Sequence, residues 1–423
     1  MINSTILLLA GCFLAAEADA PAEDLKPQVA KLVRQLDAAE KAQRDEAEQQ
    51  LLKLGTPALP LLPDTERASA EIKLRLARVR TQLETRRGEE EALSREVTLS
   101  GADLPFDDVI AAIEKQTGNK LVDYRQQFNQ QADDKTLKLS LDKVPFWPAL
   151  DQILDEAGMT IYGYAGEPGL ALVNRSSTEV PRYNRCAYAG AFRIEATEVI
   201  ARRDLRDPSG EALRVEVDVA WEPRLAPIAL SLSGDSVTAV GDTGEALTAG
   251  PNSELEVTVN PGESSTQVPL AFALPPRKMT KIASLKGNLE VLLPGPIEEF
   301  RFAKLQAGAK GEERRGGVNV ILEQVRQNQL LWEIRVRVVF DKPGQALESH
   351  RTWVLHNEAF LESPDKQQIN SAATETTRQS DNEVGMAYMF DVADLAGHVL
   401  VYKTPTVLMN AAVPYELKDI ALP

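Results

Sequence analysis

From about residue 183 to the C-terminus, apolar and polar positions alternate with a period of two. Trp332, Ile334, Val336, Val338 and Phe340 alternate with Glu333, Arg335 and Arg337, as a strand with one buried face requires. Leu213, Val215, Val217, Val219 and Trp221 do the same around Arg214, Glu216 and Asp218. Each run follows an earlier strand pattern, Phe192, Ile194, Ala196 and Val199 in one case, Val318, Val320, Leu322 and Val325 in the other. The region therefore reads as an internal duplication. A run from Leu285-Lys286 to Glu299-Phe300-Arg301 matches a later one from Tyr402-Lys403 to Glu416-Leu417-Lys418. Short strands punctuated by Pro, Gly, Asn and Asp predict two antiparallel β-sandwiches, 183–306 and 318–423, joined by a Gly-rich, charged linker at 307–317.

The N-terminal part follows a helical period instead. Val29, Leu32, Val33 and Leu36 recur at i, i+3, i+4 and i+7, and Ala68, Ile72, Leu76, Val79 and Leu83 continue it. Apart from Phe13, no aromatic residue precedes position 97, and 21–96 is rich in Ala, Leu, Glu, Arg and Gln, the strong helix formers. Gly55 closes one helix, and Thr56-Pro57 opens the next. The run RQLDAAEKAQRDEAEQQLLKLGTPALPLL resembles a HEAT-type helical repeat, with Leu51, Leu54, Gly55, Leu59, Pro60 and Leu62 in the family's positions. At most two such repeats fit, fewer than a solenoid needs for a continuous core. A docking module and a solvated helical spacer both remain open.

Between these regions one unit occurs twice at an offset of 40. LPFDDVIAAIEKQTGNKLVDY at 104–124 is echoed by VPFWPALDQILDEAGMTIYGY at 144–164, with Pro105, Phe106, Ile113, Gly118, Leu121 and Tyr124 matching Pro145, Phe146, Ile153, Gly158, Ile161 and Tyr164. Each copy predicts a strand, a Pro near the helix start, a helix stopped by Gly118 or Gly158, and a second strand. Val109, Ile110 and Ile113 line one helix, and Ala149, Leu150, Ile153 and Leu154 the other. Neither copy can bury its face alone, so both should share one small domain, 97–178. This stretch resembles the short N-terminal domain of secretins and TonB-dependent receptors. The resemblance implies a periplasmic module that docks other proteins, and it brings no catalytic residue. No glycine-rich secretin core and no outer-membrane barrel strands follow. The C-terminal pair is similar in architecture to immunoglobulin-like domains, without their Cys-Trp-Cys core. The expected fold is multidomain α+β: a helical module, a small two-helix secretin-like domain and two β-sandwiches.

A formal net charge of −16 without a basic stripe argues against nucleic acid as partner. The same charge repels anionic lipid, leaving membrane contact to a dedicated anchor. Residues 1–20 read as a signal peptide, its apolar core running from Ile6 to Ala16. Cleavage after Ala18 competes with a lipobox-like Leu9-Ala10-Gly11-Cys12, in which Cys12 would carry lipid, and the segment lacks the usual Lys or Arg at its start. With Cys12 removed or lipidated, Cys186 stands alone, so no internal disulfide forms and hydrophobic cores must hold the chain.

The chemistry-bearing residues are sparse. Of the 3 histidines, His350 and His356 would sit about 20 Å apart on one strand, too far for one metal, and His398 lies elsewhere. No nucleophile elbow, phosphate loop, dinucleotide fingerprint or zinc motif occurs. We expect no catalytic residue, no metal and no cofactor. Trp221 and Trp332 read as core. Trp147, beside Pro148 at a helix start, reads as half exposed. Arg351 and Trp353 together would suit a binding patch, although core packing is the better reading of Trp353. The repeat's two helix starts differ, Asp107-Asp108 against Trp147-Pro148. The candidate interaction surface is therefore Asp107, Asp108, Trp147, Arg351 and Trp353. The sequence points to a non-enzymatic exported protein that binds or scaffolds envelope proteins. A carbohydrate or cell-wall binding module is the second reading, and a hydrolase built from distant carboxylates the third.

Overall fold

A computed structural model of the protein describes residues 22–63, 69–131, 136–163, 169–207, 210–250, 255–260, 262–341 and 353–423. The signal peptide, Cys12, His350 and Arg351 lie outside the described residues. The fold is α+β, with N-terminal helices followed by antiparallel sheets, and the chain forms two compact units, Met1–Arg87 and Gly88–Pro423.

In the first unit α1 (Ala22–Gln35), α2 (Lys41–Lys53) and the start of α3 (Ala70–Glu91) bury Val29, Leu32, Leu36, Leu51, Leu76, Val79 and Leu83 together. The helix expected at Thr56-Pro57 is a single stretch of 3-10 helix, Thr56–Leu61. A second proline, Pro60, removes the donor that an α-helix would use next. Arg75 on α3 is buried and gathers Glu71 at 2.6 Å, Glu48 at 2.6 Å and Asp45 at 2.9 Å.

The second unit begins with the repeat: β1 (Glu96–Pro105), α4 (Phe106–Thr117), β2 (Leu121–Asp123), β3 (Thr136–Pro145), α5 (Phe146–Ala157), β4 (Met159–Tyr162) and β5 (Leu170–Asn174). Both helices stop as expected, on Gly118 and Gly158 with φ of 72° and 69°. β1 and β3 pair antiparallel with Ser100 opposite Ser140, its own repeat counterpart. The two copies are thus joined about a local twofold axis. β5 pairs parallel with β2 and antiparallel with β4. Val97, Phe106, Ile113, Leu139, Phe146, Leu150 and Ile153 form the shared core.

The remaining strands are β6 (Ala187–Ala189), β7 (Phe192–Arg202), β8 (Ala212–Trp221), β9 (Ala229–Leu232), β10 (Thr238–Gly241), β11 (Ala246–Leu247), β12 (Leu255–Thr258), β13 (Ser265–Phe272), β14 (Lys281–Pro294), β15 (Ile297–Phe302), β16 (Gly311–Arg315), β17 (Val318–Asn328), β18 (Leu331–Phe340), β19 (Ala359–Glu362), β20 (Gln368–Asn370), β21 (Ala373–Gln379), β22 (Glu383–Phe390), β23 (Val399–Pro405) and β24 (Leu408–Ala421). Sheet β13-β8-β7-β6 shares a core with sheet β11-β10-β14-β9-β12, which also carries β24 on β14. Sheets β15-β23-β19-β20 and β16-β17-β18-β22-β21 enclose a second core. Both arrangements are consistent with β-sandwiches.

The strands are not divided between the two cores as the sequence divides them. The matching runs at 285–301 and 402–418 do not occupy equivalent places; they pair with each other, β14 with β24 from Lys281↔Ala421 to Pro294↔Leu408, and β15 with β23 from Ile297↔Pro405 to Phe302↔Leu400. The chain leaves the first core after β14, builds the second from β15 to β23, and returns with β24. Met409, Ala411, Val413, Tyr415 and Leu417 of this last strand pack into the first core. Residues 311–315, within the stretch read as linker, are strand β16 on the edge of β17.

The repeat domain is fixed to the first sheet pair by a buried carboxylate. Glu222, at the end of β8, is fully buried. One oxygen accepts from Ser94 Oγ at 2.8 Å and the Arg95 amide at 2.9 Å; the other accepts from Asn119 Nδ2 at 3.0 Å and Arg224 Nε at 2.7 Å. A buried charge is tolerated only when its lone pairs are filled in this way. Glu222→Ala should lower unfolding stability by about 3 kcal/mol or more, read from the urea midpoint. Glu222→Gln should fall between wild type and Ala, and a loss below about 1 kcal/mol for Ala would show that the carboxylate is dispensable.

Candidate functional site

The offset of 40 makes α4 and α5 directly comparable. Trp147, Asp151 and Asp155 form an i, i+4, i+8 stripe on α5, and their counterparts on α4 are Asp107, Ala111 and Lys115. The stripe on α5 is used inside the molecule. Trp147 is fully buried, and its Nε1 donates to the Ala191 carbonyl at 3.0 Å. This corrects the expectation of a half-exposed Trp147: the indole covers the β6–β7 turn, and its single donor finds a backbone acceptor there.

One turn further along, Asp151 is 2 % exposed. Its Oδ2 accepts from Arg193 Nε at 2.9 Å, Tyr188 Oη at 2.8 Å and the more distant Cys186 Sγ at 3.6 Å. Arg193, equally buried, also reaches Glu195 at 2.7 Å and lies 5.9 Å from the centre of the Trp147 ring. Burial opposes the Arg193 charge, but Asp151 and Glu195 outweigh it and hold the guanidinium protonated. Burial pushes the Cys186 thiol up to about 11, which leaves it a poor nucleophile at neutral pH. Asp155 closes the stripe, accepting from the amides of Arg182 at 3.1 Å and Tyr183 at 2.9 Å and from the Arg175 guanidinium.

The stripe on α4 meets nothing comparable. Asp107, Asp108, Ala111 and Lys115 are all exposed. The two aspartates sit in the first turn of α4, where the helix dipole favours negative charge. The structure therefore brings Trp147 into an internal joint and leaves Asp107 and Asp108 facing solvent on another helix. Trp353 belongs to neither place. It lies on a short 3-10 helix, Trp353–His356, rather than a strand, and packs edge-on against Phe340 at 5.7 Å in the second core. No patch with Arg351 can be drawn from the described residues. His356 is exposed and His398 half-buried. Among the described residues no group of His, Cys, Asp and Glu could hold a metal ion, and no helix is long and apolar enough to cross a membrane.

Sequence reasoning missed the residues that carry the joint: Asp151, Arg193, Asp155 and Glu222. A carboxylate at i+4 from a helix-start Trp was the available signal for Asp151. Arg193 offered none, since it stands on a strand between core positions.

No family model matches this chain, and no curated protein matches it. A solved structure described as the conserved domain protein from Bacillus anthracis is 10% identical over 52% of this chain and 75% of that one, with a TM-score of 0.18. A likeness that slight carries no argument about fold or role.

Two outcomes follow from the joint. Asp151→Ala should cost about 3–5 kcal/mol, because Arg193 stays buried with less of its charge met, whereas Asp107→Ala should stay within about 0.5 kcal/mol; urea unfolding followed by circular dichroism separates them. Asp218, opposite Glu195 on β8, is held above the usual carboxylate range by burial, with Arg193 pulling the other way. An acid that holds its proton more tightly when folded lowers stability once ionised, so the penalty is absent below the unfolded value of about 4 and grows as pH rises through the folded one. Asp218→Asn should therefore raise the melting temperature at pH 7, with the gain closing near pH 3; an equal gain at both would assign it to packing.

Proposed function

We propose that this protein is a non-enzymatic component of the bacterial cell envelope that binds or scaffolds other proteins. One observation carries the reading. The repeated unit is a docking element, used once in cis through Trp147, Asp151 and Asp155, while its other copy presents Asp107, Ala111 and Lys115 to solvent. We read 97–178 as the secretin-type short domain, 183–423 as a pair of immunoglobulin-like sandwiches and 21–96 as a HEAT-like module. Export through residues 1–20, with Cys12 as an alternative lipid site, places the protein in the periplasm or on its membranes. Envelope proteins are the partners, and neither nucleic acid nor a cofactor takes part.

The carbohydrate reading has less support. Among the described residues of 183–423 the exposed large apolar side chains are Tyr183, Ile200, Leu205, Val240, Ile297 and Leu330, one aromatic among aliphatics, whereas a sugar platform is built from several aromatic faces.

A photo-crosslinking residue at position 111, in the full chain expressed in its native cell, tests the proposal. The expected result is a discrete crosslinked protein in the envelope fraction, abolished by Asp107→Lys with Asp108→Lys, on a chain whose mature N-terminus begins after Ala18 or at a lipidated Cys12. Recovery from the cytoplasm with Met1 intact removes the envelope assignment. An absent crosslink, or one that survives both substitutions, removes the α4 docking face.

A further inference from the structure

The sheet that carries the repeat domain exists twice. Strands β6-β7-β8-β13 and β16-β17-β18-β22 are joined in the same order. Phe192 lies opposite Trp221 in the first and Val318 opposite Phe340 in the second, and both long ladders are bulged at the same place, between Ala196 and Glu198 and between Leu322 and Gln324. The turns before β7 and β17 also match. Gly190 and Gly316 have φ of 57° and 55°, and the carbonyls that follow, on Ala191 and Gly317, accept from the Glu222 and Asp341 amides, both at 3.0 Å. The second sheet therefore repeats the turn on which the joint with α5 is built.

The outer faces beside these turns differ in charge and in exposure. In the first sheet Tyr188, Arg193, Glu195, Glu216 and Asp218 line the face on which α5 docks through Asp151. Their counterparts in register are Arg314, Asn319, Ile321, Arg335 and Arg337. One base with three acids becomes three bases with no acid. Arg193 is 2 % exposed beneath α5, whereas Arg314 is exposed and Asn319, Ile321, Arg335 and Arg337 are half-buried. Nearby acids are already met: Asp341 by Arg314, Glu312 by Asn319, Glu333 by Arg335, and Glu323 and Glu383 by Arg337. A guanidinium has five N–H donors, so Arg335 and Arg337 keep some for a further carboxylate.

The chain thus holds two duplications and one pairing. The second helix of the repeat, α5, sits on the first sheet; the first helix, α4, and the second sheet have no such partner within the chain. Their differences are matched. The buried pair Asp151 with Arg193 is replaced on both sides at once, by Ala111 on α4 and Asn319 on β17, so neither would leave a buried charge unmet. At the helix start, exposed Asp107 and Asp108 stand where α5 has Trp147 and Pro148, facing a sheet that has gained arginines. We propose that α4 of one copy docks on the β16-β17-β18 face of another, its start at the Gly316-Gly317 turn and its two aspartates among Arg314 and Arg337. Complementary charge of this kind sets register and choice of partner. The inference rests on α4 as a docking face and names what it docks.

Sedimentation of the full chain over about 1–200 µM tests this, a range that brackets a modest interface. The wild type should associate reversibly. Asp107→Asn with Asp108→Asn removes the helix charge, and Arg314→Glu reverses a charge on the face; each variant alone should associate at least about tenfold more weakly. An equimolar mixture should recover association, because the native face of one variant then meets the native helix of the other. All three side chains are exposed, so the circular dichroism of each variant should match that of wild type. A wild type that stays monomeric, single variants that associate as wild type does, or a mixture no tighter than its components would each overturn the inference. The α4 docking face itself falls only with the crosslink at position 111; a crosslink there to a different protein keeps that face and removes the second copy as its partner.

Discussion

The turn between β6 and β7 is the joint on which the second unit depends. At Gly190 and Ala191 three segments far apart in sequence meet. The Ala191 amide donates to Ala92 at the end of α3 at 2.7 Å, and its carbonyl accepts from the Glu222 amide and the Trp147 indole, both at 3.0 Å. Gly190 has φ of 57°, and a Cβ there would stand 2.3 Å from the Ala92 carbonyl oxygen, so the close approach requires glycine. Around this turn lie two buried polar clusters, Asp151 with Arg193 and Glu222 with Arg224. Charged groups removed from water are costly unless each is met by partners in good geometry. Each cluster spans both parts, Asp151 of the repeat domain meeting Arg193 and Tyr188 of the sheets and Glu222 of the sheets meeting Ser94, Arg95 and Asn119, so neither part can shift without exposing unmet charge. Apolar packing tolerates small slides; these clusters do not.

That constraint shapes the functional reading. A protein recognised through one helix face needs that face held still, because ordering a mobile element on binding subtracts from affinity. The α5 stripe fixes the repeat domain to the sheets, and α4, built to the same pattern, is displayed by the arrangement. Duplication followed by divergence at three positions, Trp147 against Asp107, Asp151 against Ala111 and Asp155 against Lys115, separates an internal joint from an external face.

Much of this architecture was legible in the residues. Periods of two and of 3.6 placed the sheets and the helices, and the 40-residue offset placed both helix stops. Trp147 was misjudged because α5 is apolar over more than the one face that its Ala149, Leu150, Ile153 and Leu154 pattern announces. Its second buried face holds one Trp and one Asp, which in isolation resemble a solvent-facing turn. Local periodicity identifies the face a helix turns to its own sheet and is silent about a second neighbour. The same limit hid Glu333, which alternation assigns to solvent. It is buried, and its carboxylate is met by the guanidinium groups of Arg326 at 2.7 Å and Arg335 at 2.6 Å, as a buried charge requires.

The exchange of strands between the two cores was hidden for a different reason. Similar runs at 285–301 and 402–418 suggested equivalent places in two copies, yet similarity of pattern is also what lets two strands pair with each other. Pairing order is set by long-range register, which no local pattern encodes. β14 and β24 form one ladder and β15 and β23 the next, and the link between them is kept in register by the Gly295 amide donating to Val407 at 2.8 Å. Each core therefore contains a strand whose neighbour in sequence belongs to the other. Pulling β24 from the first core strips Met409, Val413 and Tyr415 from it and draws on β23 in the second. The two cores are coupled through covalent chain as well as through contact, which favours loss of both together over separate opening.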